Sequence, residues 1–173
     1  DRANVDYEME LISGIYEILP NRFGAGIIQN NFELLGEIKY TDSEIDYANT
    51  ILKETGKELK GLDGTIKPLR PTVPATGGST DVGDVSQVVP VVRLRTTTAA
   101  KDGPWHSWAV VACTGMSIGH KGMIYASKAL AMTMLDLYKN PKLIDGVRKE
   151  FLVRKGDRVY VPQIPPGPPK LID

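Results

Sequence analysis

Gly77-Gly78-Ser79-Thr80-Asp81-Val82-Gly83-Asp84-Val85-Ser86 runs into Val88-Val89-Pro90-Val91-Val92 and then, after a short polar stretch, into Gly103-Pro104-Trp105-His106-Ser107-Trp108. How these three pieces are read decides the fold. Paired glycines followed by Ser, Thr and Asp leave backbone N–H groups uncovered in a turn, and such a turn can grip a carboxylate or another anion. The same residue types are also ordinary loop formers, so the turn reading stands beside the site reading. The β-branched run at 88–94 has the composition of a buried strand. His106, one of only two histidines, follows in what reads as a loop leaving that strand.

Composition bounds the rest. The 173 residues suffice for one ordinary domain with its own core. Lys plus Arg equals Asp plus Glu at 21 each, so no net field draws the chain to nucleic acid or to an anionic membrane. No apolar run approaches the roughly 20 residues that cross a bilayer, and no charged-then-apolar leader precedes the first element. The expectation is a soluble, cytoplasmic chain. The single Cys113 sits in the apolar stretch Trp108-Ala109-Val110-Val111-Ala112 and reads as a small core residue.

Taken in order, Val5, Tyr7, Met9 and Leu11 alternate with Asp6, Glu8 and Glu10, the period of a half-buried strand. Asn21 can cap a helix that Gly36 ends. Thr41-Asp42-Ser43-Glu44 is a capping box, followed by Ile45, Ala48, Ile51 and Leu52 on one face. Residues 59–74 carry glycines and prolines with little periodicity and read as a long irregular connection. Residues 81–88 suggest a short helical turn, and 108–112 a strand or buried turn. Ser117 starts the longest helix, running to Tyr138; its apolar residues nearly circle the axis, which predicts burial on most sides. Asn140-Pro141 reads as a cap and first-turn proline of a last amphipathic helix, before a proline-rich tail.

Four positions invite a chemical reading. His106 is a zinc-ligand candidate, against a hydrogen-bonded structural histidine. His120, in Ile118-Gly119-His120-Lys121-Gly122, stands near a helix start, where a capping or packing role is the plainer reading. Asp81 and Asp84 form a D-x-x-D pair that suits a cation or, more cheaply, a helix cap.

The Gly-Gly-Ser-Thr-Asp loop paired with a later Trp-His-Ser resembles the C-terminal part of the catalytic domain in co-catalytic zinc peptidases of the aminoacylase and carboxypeptidase G type. Asp6-Tyr7-Glu8 with Ser13-Gly14-Ile15-Tyr16-Glu17-Ile18-Leu19-Pro20-Asn21, and Ser117-Ile118-Gly119-His120-Lys121-Gly122-Met123, resemble the aminobenzoyl-glutamate utilisation protein B branch. The resemblance implies an α/β fold, a mixed sheet flanked by helices. Residues 1–19 would end a lid or dimerisation domain with its last strand and crossover, 20–155 would form the C-terminal part of the catalytic domain, and 156–173 a tail.

The same resemblance implies a metal-dependent hydrolase of an acyl-amino-acid amide such as aminobenzoyl-glutamate, with His106 as a ligand in a two-zinc site. Gly77, Gly78, Ser79, Thr80 and Asp81 would line the substrate pocket, while His120 and Asp84 stay unassigned. A two-metal hydrolase also needs a bridging carboxylate, further ligands and a carboxylate base. The family's His-x-Asp and Glu-Glu pairs are absent from this sequence. The chain therefore reads as an enzyme fragment, inactive alone, whose partners are a missing N-terminal half, an amide substrate and further subunits in a homo- or hetero-oligomer. The alternative is a non-catalytic α/β interaction or regulatory subunit.

Overall fold

Asn21 opens the first helix. In a computed structural model that describes residues 5–70 and 78–168, its side chain accepts the Gly24 N–H at 2.8 Å and starts α1 (Arg22–Leu35). Gly36 ends α1 at φ 74°, in the left-handed region that favours glycine. The capping box at Thr41 forms as its spacing requires: Thr41 Oγ1 accepts the Glu44 N–H at 3.3 Å, Glu44 accepts the Thr41 N–H at 2.7 Å, and α2 (Asp42–Glu54) follows. The remaining elements are α3 (Val82–Val88), α4 (Trp108–Thr114), α5 (Ser117–Lys139) and α6 (Pro141–Lys155). Pro141 holds the first position of α6, but Asn140 makes no side-chain capping bond.

The expected α/β fold is not what forms. The described residues fold into six helices with no strand and no sheet. A strand exists only through a neighbour that takes its backbone hydrogen bonds, and neither segment expected as a strand is paired in one among the described residues. The alternating residues 5–11 carry no regular secondary structure and are solvent-exposed, with Tyr7 90 % accessible. Further along the same segment, side chains of α3 take the backbone polar groups instead: Tyr16 N–H donates to Asp84 at 3.3 Å and Leu19 N–H to Ser86 Oγ at 2.9 Å. Gln87 Nε2 donates to the Glu17 carbonyl at 2.8 Å. The valine run that ends α3 and continues past it forms no strand either, and Val88 and Val89 are exposed. Residues 108–112, read as strand or buried turn, form α4, because Ser107 supplies a cap by accepting the Ala109 N–H at 3.3 Å.

α5 is the hub, touching α1, α4 and α6, while α2 packs on α4. The core gathers Ala48, Ile51 and Leu52 of α2, Ala109 and Cys113 of α4, Ile118 of α5 and Ala100 of the preceding loop. Burying a side chain such as Leu52, fully enclosed here, contributes about 1.5–3 kcal/mol. Between α1 and α5 the contact turns polar: Asn31 Nδ2 donates to Thr133 Oγ1 at 3.1 Å and to Asp136 at 2.9 Å. Against α6, the Phe23 N–H at the start of α1 donates to the Glu150 carboxylate at 2.6 Å, an anion placed where the helix dipole favours it.

The expected burial of α5 holds on one face only. Ile118, Ala129 and Thr133 are enclosed, whereas Met123, Met134 and Leu135 are 58, 56 and 54 % exposed. The irregular connection is ordered across its described part by specific bonds. Gly61 N–H donates to Asn49 Oδ1 at 2.9 Å, and Ile38 N–H to the Gly64 carbonyl at 3.0 Å. Asp63 gathers Lys67 and Lys101 at 3.0 and 3.2 Å and the hydroxyl of Thr65, so its carboxyl is held well below the usual carboxylate range by that hydroxyl, the two lysines and the Thr65 N–H, against the opposing cost of burial.

Candidate functional site

His106 stands in the turn that delivers the chain from the core residue Ala100 into α4. Gly103 N–H closes back on the Ala100 carbonyl at 3.2 Å. Ser107 then bridges the turn to the helix, donating its hydroxyl to the Pro104 carbonyl at 2.6 Å while capping α4. Held from both sides, His106 adopts φ 57° and Asp102 φ 59°, the only non-glycine residues among those described in the left-handed region. A left-handed non-glycine residue costs of the order of 1 kcal/mol and persists where surrounding structure enforces it. The outcome is an imidazole presented to solvent between Trp105 and Trp108, themselves 70 and 56 % exposed. Beneath the turn the void is only about 10 Å³, too small to seat a ligand.

The glycine loop lies at the start of α3. Gly77 falls outside the described residues; Gly78 takes φ 107° and with Ser79 is exposed. Thr80 Oγ1 accepts the Val82 N–H and donates to Asp81, both at 3.3 Å. Asp81 sits at the helix-start position without making a capping bond. Asp84 is committed to structure, because one oxygen takes the Tyr16 N–H and the other the Tyr160 hydroxyl at 3.0 Å. The D-x-x-D pair is thus split between an exposed turn and a staple.

His120 lies in the first turn of α5, and its neighbours in Ser117-Ile118-Gly119-His120-Lys121-Gly122 all have structural work. Ile118 is in the core. A Cβ on Gly119 would meet the Thr114 backbone, and one on Gly122 the Thr97 carbonyl, so both glycines let loops close on the helix. Ser117 Oγ and Lys121 Nζ both donate to Glu44 at 2.6 Å. Burial raises the Glu44 pKa, but these bonds and those from Thr41 outweigh it and bring it down to about 2. His120 alone faces solvent without a hydrogen-bond or ion-pair partner for its ring among the described residues. Sequence reasoning leaves Lys121 out of the site; its i+4 relation to Ser117 on a helix is the signal that could have placed it there.

No group of three or more His, Cys, Asp or Glu side chains able to hold a metal occurs among the described residues. His106 and loop 78–81 belong to different helix starts, and α3 is not a member of any principal helix pair. These residues by themselves do not fit a zinc site. No described helix is long and apolar enough to cross a membrane.

No family model matches the chain, and no solved structure matches it. Curated relatives do. The chain is 35 % identical over 89 residues to a protein of Escherichia coli (strain K12) named as a subunit of p-aminobenzoyl-glutamate hydrolase, covering 51 % of this chain and 18 % of that protein. It is 39 % identical over 99 residues to the Xaa-Arg dipeptidase of Mus musculus, covering 57 % of this chain and 21 % of that protein. The chain therefore spans about a fifth of the length of the curated relatives it matches, and both of those relatives carry hydrolase names, one for an aminobenzoyl-glutamate and one for a dipeptide.

Proposed function

We propose that this chain is part of a metal-dependent amidohydrolase or peptidase that cleaves an acyl-amino-acid amide such as aminobenzoyl-glutamate. The observation that carries the reading is the likeness, over about half the chain, to two proteins with hydrolase names. Within it, His106 is the one metal ligand this chain supplies, and the remaining ligands and the base belong to polypeptide beyond it. Two features support that choice: an exposed imidazole, and a backbone held at positive φ by Ser107 and Gly103. When bound, zinc would polarise the scissile carbonyl and supply hydroxide. This chain's own share is to fix the imidazole and to offer the turn at 78–81, whose exposed backbone suits a substrate carboxylate. On this reading the 173-residue chain alone has no hydrolase activity and holds zinc weakly, since zinc sites take three or four protein ligands. The word subunit in the bacterial relative's name favours assembly with further chains.

The test is His106→Ala in the longer polypeptide that carries this chain, read by zinc content and by hydrolysis of p-aminobenzoyl-glutamate. Changes one shell out from a metal commonly cost 10- to 100-fold, so loss of the ligand itself should cost at least about that in both readouts. A full metal complement with near-normal turnover would reject the assignment and favour a non-catalytic helical subunit.

A further inference from the structure

A groove of about 410 Å³ opens between residues 35–39 and the N-terminal half of α5. Apolar side chains come from both sides, Leu35 and Ile38 from the end of α1 and the segment after it and Ile124 from α5, with Tyr125 also lining the groove. Three lysines, Lys39, Lys121 and Lys128, line it together with His120. Spacing on α5 accounts for the arrangement, because His120, Ile124 and Lys128 recur every four residues and share one helix face.

Most polar groups in the groove are already engaged. Lys121 Nζ donates to Glu44 and, at 2.9 Å, to the Lys39 carbonyl. Ser117 is bonded to Glu44, and the Tyr125 hydroxyl donates to the Gly36 carbonyl at 2.8 Å. Lys39 meets Glu37 at 2.9 Å in an exposed pair, the kind that is readily exchanged. His120 and Lys128 have no hydrogen-bond or ion-pair partner for their side chains among the described residues. A water-accessible hollow with apolar lining from both sides and two uncommitted donors fits a ligand that is apolar at one end and anionic at the other.

We propose that this groove binds a small carboxylate carried on an apolar body, with Leu35, Ile38 and Ile124 receiving the body and His120 and Lys128 holding the carboxylate. The proposal does not rest on the hydrolase reading, because neither the His106 turn nor residues 78–81 line the groove.

The probe is benzoate, titrated into the 173-residue chain and followed by amide chemical shifts, with inorganic phosphate as the charge-only comparison. Saturable shifts at Ile38, Ile124 and Lys128 are expected, with phosphate binding several-fold more weakly. Lys128→Gln should weaken benzoate about threefold, the scale of an exposed charge pair, and His120→Gln, which replaces the ring N–H, should also weaken it. Ile124→Ser should weaken benzoate while leaving phosphate unchanged. All three positions are exposed, so these variants keep the fold, which the remaining amide spectrum verifies. Benzoate shifts absent from groove amides, parental affinity in both Gln variants, or phosphate binding as tight as benzoate would each overturn the proposal. The activity of the longer polypeptide is not a readout here, so failure of this proposal leaves the His106 assignment standing, and the reverse.

Discussion

Lys121 Nζ lies 2.6 Å from Glu44 Oε2, joining the first turns of α5 to the capping box of α2. Glu44 is buried, at 7 % exposure, and also takes Ser117 and Thr41. Lys121→Met would leave that carboxylate with its counter-charge gone; because the Lys121 side chain is itself partly exposed, the loss should fall between the scale of an exposed pair and that of a fully buried one, about 1–3 kcal/mol. Urea denaturation should show that loss, and a change under about 1 kcal/mol, the scale of an exposed pair, would mean that Ser117 and Thr41 suffice.

The same carboxylate sets an acid dependence. The folded-state pKa of Glu44 is lowered to about 2 from an ordinary 4.5. Its contribution is therefore fully present above about pH 4.5 and is lost as pH falls through the folded value. Glu44→Gln should flatten the stability profile between about pH 5 and pH 2 in guanidinium titrations. An unchanged slope in that window would assign the acid sensitivity to other carboxylates.

His106→Gly is expected to be at least as stable as the parent chain, gaining up to about 1 kcal/mol as the left-handed cost disappears. His106→Ala keeps that cost and should gain nothing. Thermal melts of the two variants separate these outcomes. A glycine variant less stable than the parent by about 1 kcal/mol or more would show that the imidazole itself stabilises the turn.

Gly122→Ala places a methyl against the Thr97 carbonyl. Backbone cannot yield as a side-chain tip can, so the loss should be of the order of 1–3 kcal/mol, visible as a lower melting temperature. Wild-type stability would mean that the loop at Thr97 moves freely off α5.

Helix starts are legible where the cap is local. Asn21 and the capping box at Thr41 announce α1 and α2 in a few residues, and both form as written. The predicted sheet fails for the complementary reason. Alternation at 5–11 and β-branching at 88–94 describe how a segment would sit in a sheet, yet a sheet requires a second strand, which none of the described residues supplies. α4 escapes detection because a short apolar run fits strand and helix alike, and only the Ser107 cap decides between them. The all-round apolar pattern of α5 predicts enclosure, but residues such as Met134 and Leu135 find no covering element among the described residues. Of the candidate site residues, His106 and His120 are visible as rare residue types in distinctive neighbourhoods. The groove is not, since it joins residues 35–39 to α5 through packing that sequence spacing cannot show.

Asp84 receives Tyr16 from one side and Tyr160 from the other, and the two rings meet at a centroid distance of 5.4 Å. Three segments separated by 68 and 76 positions thus converge on one carboxylate carried by a seven-residue helix. Helices close through neighbours and assemble fast, whereas contacts of such long sequence separation must wait for the loops between them to close. This corner is therefore expected to be the last part of the molecule to lock during refolding and the first to open under denaturant. In hydrogen exchange, the amide of Tyr16 should exchange through a smaller opening than those of α1 and α5.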